Sequence, residues 1–254
     1  MSIIYTPKGR AREYAALACN IYRGCDHGCT YCYAPSATYQ SPDDFRQSTE
    51  RKQFLTRLRS DATTLHAQGT TGQVLLSFTC DPYQWLDVYS QHTRGTIQIL
   101  HENGFSVCVL TKGAFRALRD LDLFGPSDAF ATTMTLLDPK ASHEWEPRAA
   151  EPQARMHVIR RFHAAGIPTW VSLEPVLDPE VSLEIIRQTY SYVDLFKVGK
   201  LNHHKLSKTI DWHKFGHDAI QLLTSLSYQP IEADDAPTIT EKSYYIKDDL
   251  ARFL

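Results

Sequence analysis

The sequence alternates short β-rich runs with longer segments of helical periodicity from about residue 17 to residue 226. Six runs are candidate strands, at 17–23, 73–78, 106–111, 128–136, 168–176 and 194–201. Several of them are continuously apolar, which is typical of strands covered on both faces. In the intervening segments apolar residues recur three and four positions apart, as on one face of a helix. This order predicts repeated βα units and a parallel sheet.

Two glycines support this division into elements. Gly104 and Gly166 each follow a helical segment and precede a strand, at positions where a left-handed residue commonly terminates a helix. Six βα units in series favour an α/β fold built as a partial (β/α)6 TIM-like barrel of parallel strands. A doubly wound sheet is the alternative.

The domain organisation follows from the length of the chain and from a change near its C-terminus. A chain of 254 residues suits a single barrel, and residues 1–228 are predicted to form this core. After Tyr228 the sequence becomes acidic and contains prolines, and an apolar pattern then resumes in SYYIKDDLARFL. Residues 229–254 are therefore predicted to be a C-terminal extension that packs on the core.

Composition narrows the classes of protein. With 43% hydrophobic and 22% charged residues, the chain is predicted to be a globular protein with a large core. The formal net charge of -2 provides no global basic field for nonspecific binding of nucleic acid. The opening residues lack a sustained apolar run, and eighteen apolar residues never occur together, so we expect a cytoplasmic protein without a membrane span.

Three cysteines form a compact motif. Cys25, Cys29 and Cys32 have the spacing C-x3-C-x2-C, and Gly24 and Gly28 allow the loop to curl. Three close thiolates suit a soft metal or an iron-sulfur cluster. A structural zinc site requires four ligands, whereas a cluster with three cysteines leaves one iron open. A zinc site completed by Cys19 or His27 remains the alternative.

The stretch GCDHGCTYCYA, with Tyr31 before the last cysteine, resembles the radical S-adenosylmethionine superfamily. The longer string YRGCDHGCTYCYA resembles its spore photoproduct lyase and DNA repair photolyase branch, and the similarity continues through 79–84, 110–124 and 146–179. The resemblance implies a 4Fe-4S cluster held by Cys25, Cys29 and Cys32. It also implies reductive cleavage of S-adenosylmethionine (SAM) to a 5'-deoxyadenosyl radical, which abstracts hydrogen from a substrate. An external electron donor of flavodoxin or ferredoxin type is the implied reductant.

The resemblance assigns further residues to the cofactor. Lys112 matches a residue that meets the methionine carboxylate, and Thr133 and Ser172 match small polar contacts on the fourth and fifth strands. Tyr31 is expected near the adenine or the cluster. Asp81 and Glu174 are carboxylates in apolar loops and need polar partners, which are either cofactor groups or a structural residue such as an arginine. In a barrel, such residues at strand ends converge on one mouth.

Two residues are candidates for catalysis. Tyr33, directly after the last cysteine, matches a tyrosine with a proposed role in radical transfer, although a packing role is the alternative. Cys80 is a thiol predicted to lie near the cofactor and to quench radicals. In the lyase a cysteine donates hydrogen to the product radical, but here that position falls on Phe78. The donor chemistry of the lyase therefore does not transfer to this chain.

Three functions remain open. The first is a radical enzyme, with lyase or oxidoreductase type chemistry, that acts on nucleic acid. A basic helical segment carrying Arg46, Arg51, Lys52, Arg57 and Arg59 would contact phosphates, or it is simply a solvated face. The second is a radical enzyme that acts on a protein, a peptide or a small metabolite. The third is a non-catalytic zinc or iron-sulfur binding module.

Overall fold

The computed structural model describes residues 2–202, 204–232 and 242–254. Its strands are β1 (Ile4–Tyr5), β2 (Leu17–Cys19), β3 (Tyr22–Arg23), β4 (Thr49–Glu50), β5 (Gly72–Leu76), β6 (Phe105–Thr111), β7 (Ala129–Thr133), β8 (Thr169–Leu173), β9 (Leu195–Val198), β10 (Gln229–Pro230) and β11 (Ser243–Ile246). Its α-helices are α1 (Ala34–Ala37), α2 (Pro42–Arg46), α3 (Phe54–Ala67), α4 (Trp85–Ser90), α5 (His92–Glu102), α6 (Pro139–Trp145), α7 (Pro152–Ala164), α8 (Pro179–Thr189), α9 (Trp212–Ser225) and α10 (Asp248–Ala251). Four 3-10 helices span Gly9–Glu13, Ala114–Leu123, Tyr190–Tyr192 and Lys205–Lys208.

In the part of the chain that the structure describes, nine strands form one open sheet, in the order β1-β2-β5-β6-β7-β8-β9-β11-β10. Only β1 runs antiparallel to its neighbour there. The six predicted strands are β2, β5, β6, β7, β8 and β9, which lie side by side in chain order. This order never reverses, as it would in a doubly wound sheet. The prediction of an α/β partial barrel is confirmed, with the sheet left unclosed.

Side chains alternate between the two faces of the sheet and explain the apolar runs. On β7, Phe130 is buried under α7, where its ring stacks on Phe162 with 3.7 Å between centroids. Ala129 and Ala131 belong instead to a second buried cluster with Trp170 and Cys108. Both faces of the strand are therefore buried, so the sequence reads as continuously apolar.

The helical segments mostly lie where the periodicity predicts them. Gly104 and Gly166 follow α5 and α7, and each has a φ of +77°, which confirms the predicted helix ends. The segment near 43–65 differs, because it contains α2 and β4 before α3 begins at Phe54. β4 pairs with β3 across Tyr22–Glu50, and this tertiary pairing overrides the local helical pattern.

Segments from both ends of the sequence meet beside β8 and β9. β11 pairs in parallel with β9, with Ser243 opposite Leu195. Glu13 accepts hydrogen bonds from Tyr245 Oη (3.4 Å) and from the Asp248 backbone N–H (3.0 Å). These contacts join the segment before β2 to the segment that contains β11. The apolar stretch after residue 242 thus adds a strand to the sheet. No described helix is both long and apolar enough to cross a membrane.

Lys197 fixes the first of these segments within the barrel. Its ammonium group is fully buried and donates to the carbonyl oxygens of Glu13 (2.9 Å) and Tyr14 (3.2 Å). The Trp170 ring centroid lies 4.8 Å from Lys197 Nζ. Burial lowers the pKa of Lys197 to about 7.

Because this pKa lies below its unfolded value of about 10.4, Lys197 binds fewer protons in the folded chain at intermediate pH. The contribution of Lys197 to the free energy of unfolding must then rise with pH between about 7 and 10. Methionine does not titrate, so we expect the unfolding free energy of wild type minus that of Lys197→Met to increase by about 2 kcal/mol from pH 7 to pH 9. Urea titrations at both pH values measure this difference, and a difference that does not change with pH contradicts the assignment.

Candidate functional site

The predicted site residues gather at the carboxyl ends of the parallel strands. Lys112 follows β6, Glu174 follows β8, and the cysteine loop follows β3, which continues from β2. Thr133 and Ser172 are paired across β7 and β8. The structure therefore brings these side chains to one end of the barrel, where active sites of barrel enzymes lie.

The cysteine loop depends on a glycine at its start. Gly24 has a φ of +74°, and a Cβ atom there would lie 2.4 Å from the Phe45 carbonyl oxygen. That same oxygen accepts a hydrogen bond from the Cys25 backbone N–H (2.8 Å). Any larger residue at 24 would push the loop away from α2, so glycine sets where the first cysteine lies.

The three loop cysteines differ from the other three. Cys25, Cys29 and Cys32 are partly exposed and free, whereas Cys19, Cys80 and Cys108 are buried. Burial raises the pKa of the Cys29 thiol to about 11, and the nearby Lys112 ammonium opposes this shift. Among the described residues, no three His, Cys, Asp or Glu side chains are grouped so that they could hold a metal ion. Three partly exposed thiol sulfurs in one loop are nevertheless the type of donor that holds an iron-sulfur cluster.

The two residues considered as a fourth zinc ligand are engaged elsewhere. Cys19 lies in β2 with no exposed surface. The His27 imidazole is buried between Arg116, whose Nη2 lies 3.1 Å from His27 Nε2, and Asp81, whose Oδ2 lies 3.5 Å from His27 Nδ1. Burial lowers the pKa of His27 to about 4, so the ring is neutral at pH 7. These contacts argue against the zinc alternative.

Asp81 finds its polar partners within the chain. Its carboxylate accepts hydrogen bonds from Thr111 Oγ1 (2.6 Å) and from the backbone N–H groups of Lys112 (2.7 Å) and Tyr83 (2.8 Å). Burial opposes ionisation, but His27 and these donors outweigh it and hold the pKa of Asp81 below its usual value. The carboxylate therefore fixes the backbone at Lys112.

Lys112 is a half-buried cation close to the cysteine loop. Its Nζ lies 5.6 Å from the centroid of the Tyr31 ring. Within the described ranges, Nζ has no hydrogen bond or ion pair of its own. Burial disfavours its charge, but Cys29 and Glu146 outweigh that effect and raise the pKa of Lys112. A charged ammonium without a bonded partner is suited to receive an anionic group.

Ser172 and Glu174 contact residues that sequence reasoning missed. Tyr14 Oη lies 3.2 Å from Ser172 Oγ and donates to Glu174 Oε2 (2.6 Å). Glu174 also forms an ion pair with Lys247, which follows β11. Either a cofactor group or a structural residue was expected as the partner of Glu174, and the structure shows a structural residue, the lysine Lys247. Thr133 is buried, and its carbonyl oxygen accepts from Arg155 Nη1 (3.1 Å).

The two candidate catalytic residues have different surroundings. Tyr33 is 55% exposed, and its hydroxyl donates to the Phe78 carbonyl oxygen (3.1 Å). Cys80 is buried, which raises its pKa to about 11, while Ser77 and the backbone N–H groups of Tyr22 and Ile21 oppose that shift. Tyr33 is therefore exposed on the cysteine loop. The Cys80 thiol instead contacts the chain just before the cysteine loop.

Glu146 is a second buried carboxylate that sequence reasoning missed. It binds Tyr31 Oη, Thr135 Oγ1 (2.9 Å) and Arg155 Nη2. Burial opposes ionisation, but Arg155 and Lys112 hold its pKa at about 2. One signal was present in the sequence. Arg155 falls on the apolar face of α7 with Val158, and an arginine there requires a buried partner.

The basic helical segment is partly committed to other contacts. Arg46 pairs with Asp43 (3.2 Å), and Arg59 pairs with Glu102 at 2.5 Å. Arg51 donates to the Asn20 carbonyl oxygen (2.9 Å). At least three of the five basic side chains therefore have partners within the chain, which favours the solvated-face interpretation over a phosphate-binding one.

The fold and the site define a partial α/β barrel with three thiols and a cation at its mouth. The family model described as "Radical SAM superfamily" matches residues 19–193, and the chain belongs to this superfamily. An uncharacterized protein of Mycobacterium tuberculosis is 31% identical over 169 residues, covering 62% of this chain and 48% of its own length. An uncharacterized protein of Methanocaldococcus jannaschii is 21% identical over 187 residues, covering 72% and 69%. The chain spans about half the length of the mycobacterial relatives.

Solved structures share the fold at low identity. A spore photoproduct lyase mutant has a TM-score of 0.68 at 12% identity, covering 91% of this chain and 76% of that one. A spore photoproduct lyase complexed with dinucleoside spore photoproduct has a TM-score of 0.64 at 13% identity, with the same coverage. Streptococcus suis SuiB bound to S-adenosylmethionine has a TM-score of 0.62 at 11% identity, covering 90% and 49%.

The contacts of Asp81 predict that this carboxylate stabilises the folded chain at the end of the barrel where Lys112 and the cysteine loop lie. Asp81→Asn removes the negative charge that contacts three hydrogen-bond donors and His27. It should destabilise the cluster-free chain by about 1–3 kcal/mol. Asp43→Asn changes an exposed carboxylate and should cost less than about 1 kcal/mol. Urea unfolding under anaerobic conditions compares the two variants. Equal midpoints for both would show that Asp81 has no such role.

Proposed function

We propose that the chain is a radical enzyme that binds a 4Fe-4S cluster and SAM. The proposal rests on one observation: among the described residues the Lys112 ammonium has no hydrogen bond or ion pair, and it lies near the Cys29 and Cys32 thiols of the cysteine loop. When bound, the cluster supplies one electron that cleaves SAM to methionine and a 5'-deoxyadenosyl radical, which abstracts hydrogen from the substrate. Membership of the superfamily supports the proposal, because its members are enzymes. A fold neighbour bound to SAM supports it further.

The side chains of the mouth take separate parts in this proposal. Cys25, Cys29 and Cys32 bind three irons and leave the fourth open. Lys112 receives the methionine carboxylate as a point charge. Thr133 and Ser172 offer hydroxyl groups to the cofactor, and Tyr31 borders its adenine. Asp81 acts by fixing the backbone at Lys112, and Glu174 acts by holding Tyr14 beside Ser172.

The proposal includes two residues for the radical step and an outside reductant. Tyr33 is the stronger candidate for radical transfer, because its ring is accessible next to Cys32. Cys80 stays a candidate for radical quenching, although its thiol is buried. An external electron donor of flavodoxin or ferredoxin type reduces the cluster. The free thiols suit a reducing compartment, and we propose the cytoplasm.

The proposed division of the chain assigns parts of the mouth to different segments. The core, 1–228, supplies the cysteine loop, Lys112 and Ser172, whereas the extension, 229–254, supplies Lys247. Fold neighbours are bound to different kinds of molecule: one is complexed with dinucleoside spore photoproduct, and SuiB is bound to a precursor peptide. Arg46, Arg51 and Arg59 already have partners within the chain, which makes them less suited to binding phosphates. A protein, a peptide or a small metabolite is therefore a better candidate substrate than nucleic acid.

Anaerobic reconstitution tests the radical chemistry. We expect about four iron and four sulfide ions per chain, and release of 5'-deoxyadenosine after dithionite and SAM are added. Cys29→Ala should abolish this release, because it removes a thiolate ligand. The matched control is Cys108→Ala, a buried cysteine of the barrel interior, which should retain both iron and cleavage. Zinc in place of iron, or SAM that stays intact with the wild-type chain, contradicts the proposal.

A further inference from the structure

The segment 145–150, which we call the strap, connects the cysteine loop to Lys112. The Trp145 carbonyl oxygen accepts from the Thr30 backbone N–H (2.8 Å), and the Arg148 N–H donates to the His27 carbonyl oxygen (3.1 Å). At its other end, the Ala150 N–H donates to the Lys112 carbonyl oxygen (2.9 Å). The strap thus determines how far the loop lies from the backbone of Lys112.

Glu146 joins the strap to the aromatic side chain of the loop. Its side chain is fully enclosed, and its carboxylate receives Tyr31 Oη, Thr135 Oγ1 and Arg155 Nη2. Tyr31 lies between Cys29 and Cys32 in the sequence. Its ring also lies beside Trp145 of the strap, with 6.5 Å between ring centroids. The strap therefore holds Tyr31 at both its hydroxyl and its ring.

Arg155 completes this arrangement from α7. Its Nε donates to the Ala150 carbonyl oxygen (2.7 Å), and its Nη1 donates to the Thr133 carbonyl oxygen (3.1 Å). One buried ion pair therefore links the loop, the strap and the end of β7. A buried pair of this kind is weak evidence for stability as such, but it can select one geometry.

We propose that Glu146 is a positioning residue for SAM, which fixes Tyr31 and, through the strap, the span from the cysteine loop to Lys112. This inference rests on the proposed function. It goes further because it assigns cofactor binding to a residue that does not touch the cofactor. A merely structural pair would affect folding stability alone, whereas a positioning residue also changes how the folded, iron-loaded chain binds SAM.

Three variants separate these possibilities. Tyr31→Phe removes only the hydroxyl, and Glu146→Gln removes only the charge. Glu144→Gln is the matched control, because it makes the same change at an exposed position two residues earlier. Each variant is reconstituted anaerobically, and its iron content, thermal midpoint and SAM dissociation constant are measured. The EPR spectrum of the reduced cluster is recorded with and without SAM.

We expect Tyr31→Phe to keep its iron and to raise the SAM dissociation constant roughly tenfold, with an altered SAM-dependent EPR change. Glu146→Gln should do the same, and the double variant should be no weaker than Glu146→Gln alone, because both remove one shared contact. Glu144→Gln should match wild type. If Glu146→Gln does not fold, the double variant Tyr31→Phe/Thr135→Val replaces it, because it removes both hydroxyl partners of Glu146. This variant should also bind SAM more weakly than wild type, and wild-type affinity would overturn the inference.

Wild-type SAM affinity and a wild-type EPR response in iron-loaded Tyr31→Phe and Glu146→Gln would overturn the inference. Additive losses in the double variant would overturn it as well. The wild-type chain separates this failure from failure of the proposed function. If wild type binds no iron, or its EPR spectrum does not respond to SAM, the proposed function is wrong.

Discussion

A buried carboxylate must gather hydrogen-bond donors or remain uncharged, and this requirement organises the mouth of the barrel. Asp81 draws donors from the end of β6 and from its own loop, and it also contacts His27 of the cysteine loop. Glu146 also gathers donors, from Tyr31 of the cysteine loop and from Arg155 of α7. The cysteine loop has almost no regular structure, so its position depends on these two charges together with Gly24 and the backbone hydrogen bonds of the strap. The cysteine loop and Lys112 are thus coupled through ordinary electrostatics.

Much of the fold was predictable because its signals are local. Apolar periodicity found all six barrel strands and most outer helices, and Gly104 and Gly166 marked helix ends. The helical pattern near 43–65 failed for a physical reason: β4 finds a partner in β3, and Gln53 adopts a left-handed conformation with a φ of +52° before α3. Periodicity reports which face of a segment is apolar, but it does not report a pairing with a segment thirty residues away.

The position of the candidate residues at one end of the barrel was predictable where a motif or a strand end carried the signal, as for the cysteines, Lys112, Thr133 and Ser172. The partners of those residues were not. Tyr14 contacts Ser172, which lies 158 residues later in the sequence, and Tyr31 contacts Glu146, which lies 115 residues later. The one signal for the burial of Glu146 was Arg155 on the apolar face of α7, which indicates that a buried partner exists but does not identify it. A side chain whose role is to bind another side chain far away in the sequence is not marked by composition or by motif spacing.

The ion pairs of Lys247 with Glu174 and with Glu13, whose Oε2 lies 3.1 Å from Lys247 Nζ, also bear on the order of folding. Glu13 and Asp248 are 235 positions apart, so their contact closes nearly the whole chain into one loop. Such closures lose much chain entropy before any contact compensates for it. We therefore expect the βα units to form first and the Glu174 side of the mouth to assemble last. The same side would then open first in a local fluctuation, while the rest of the barrel stays intact.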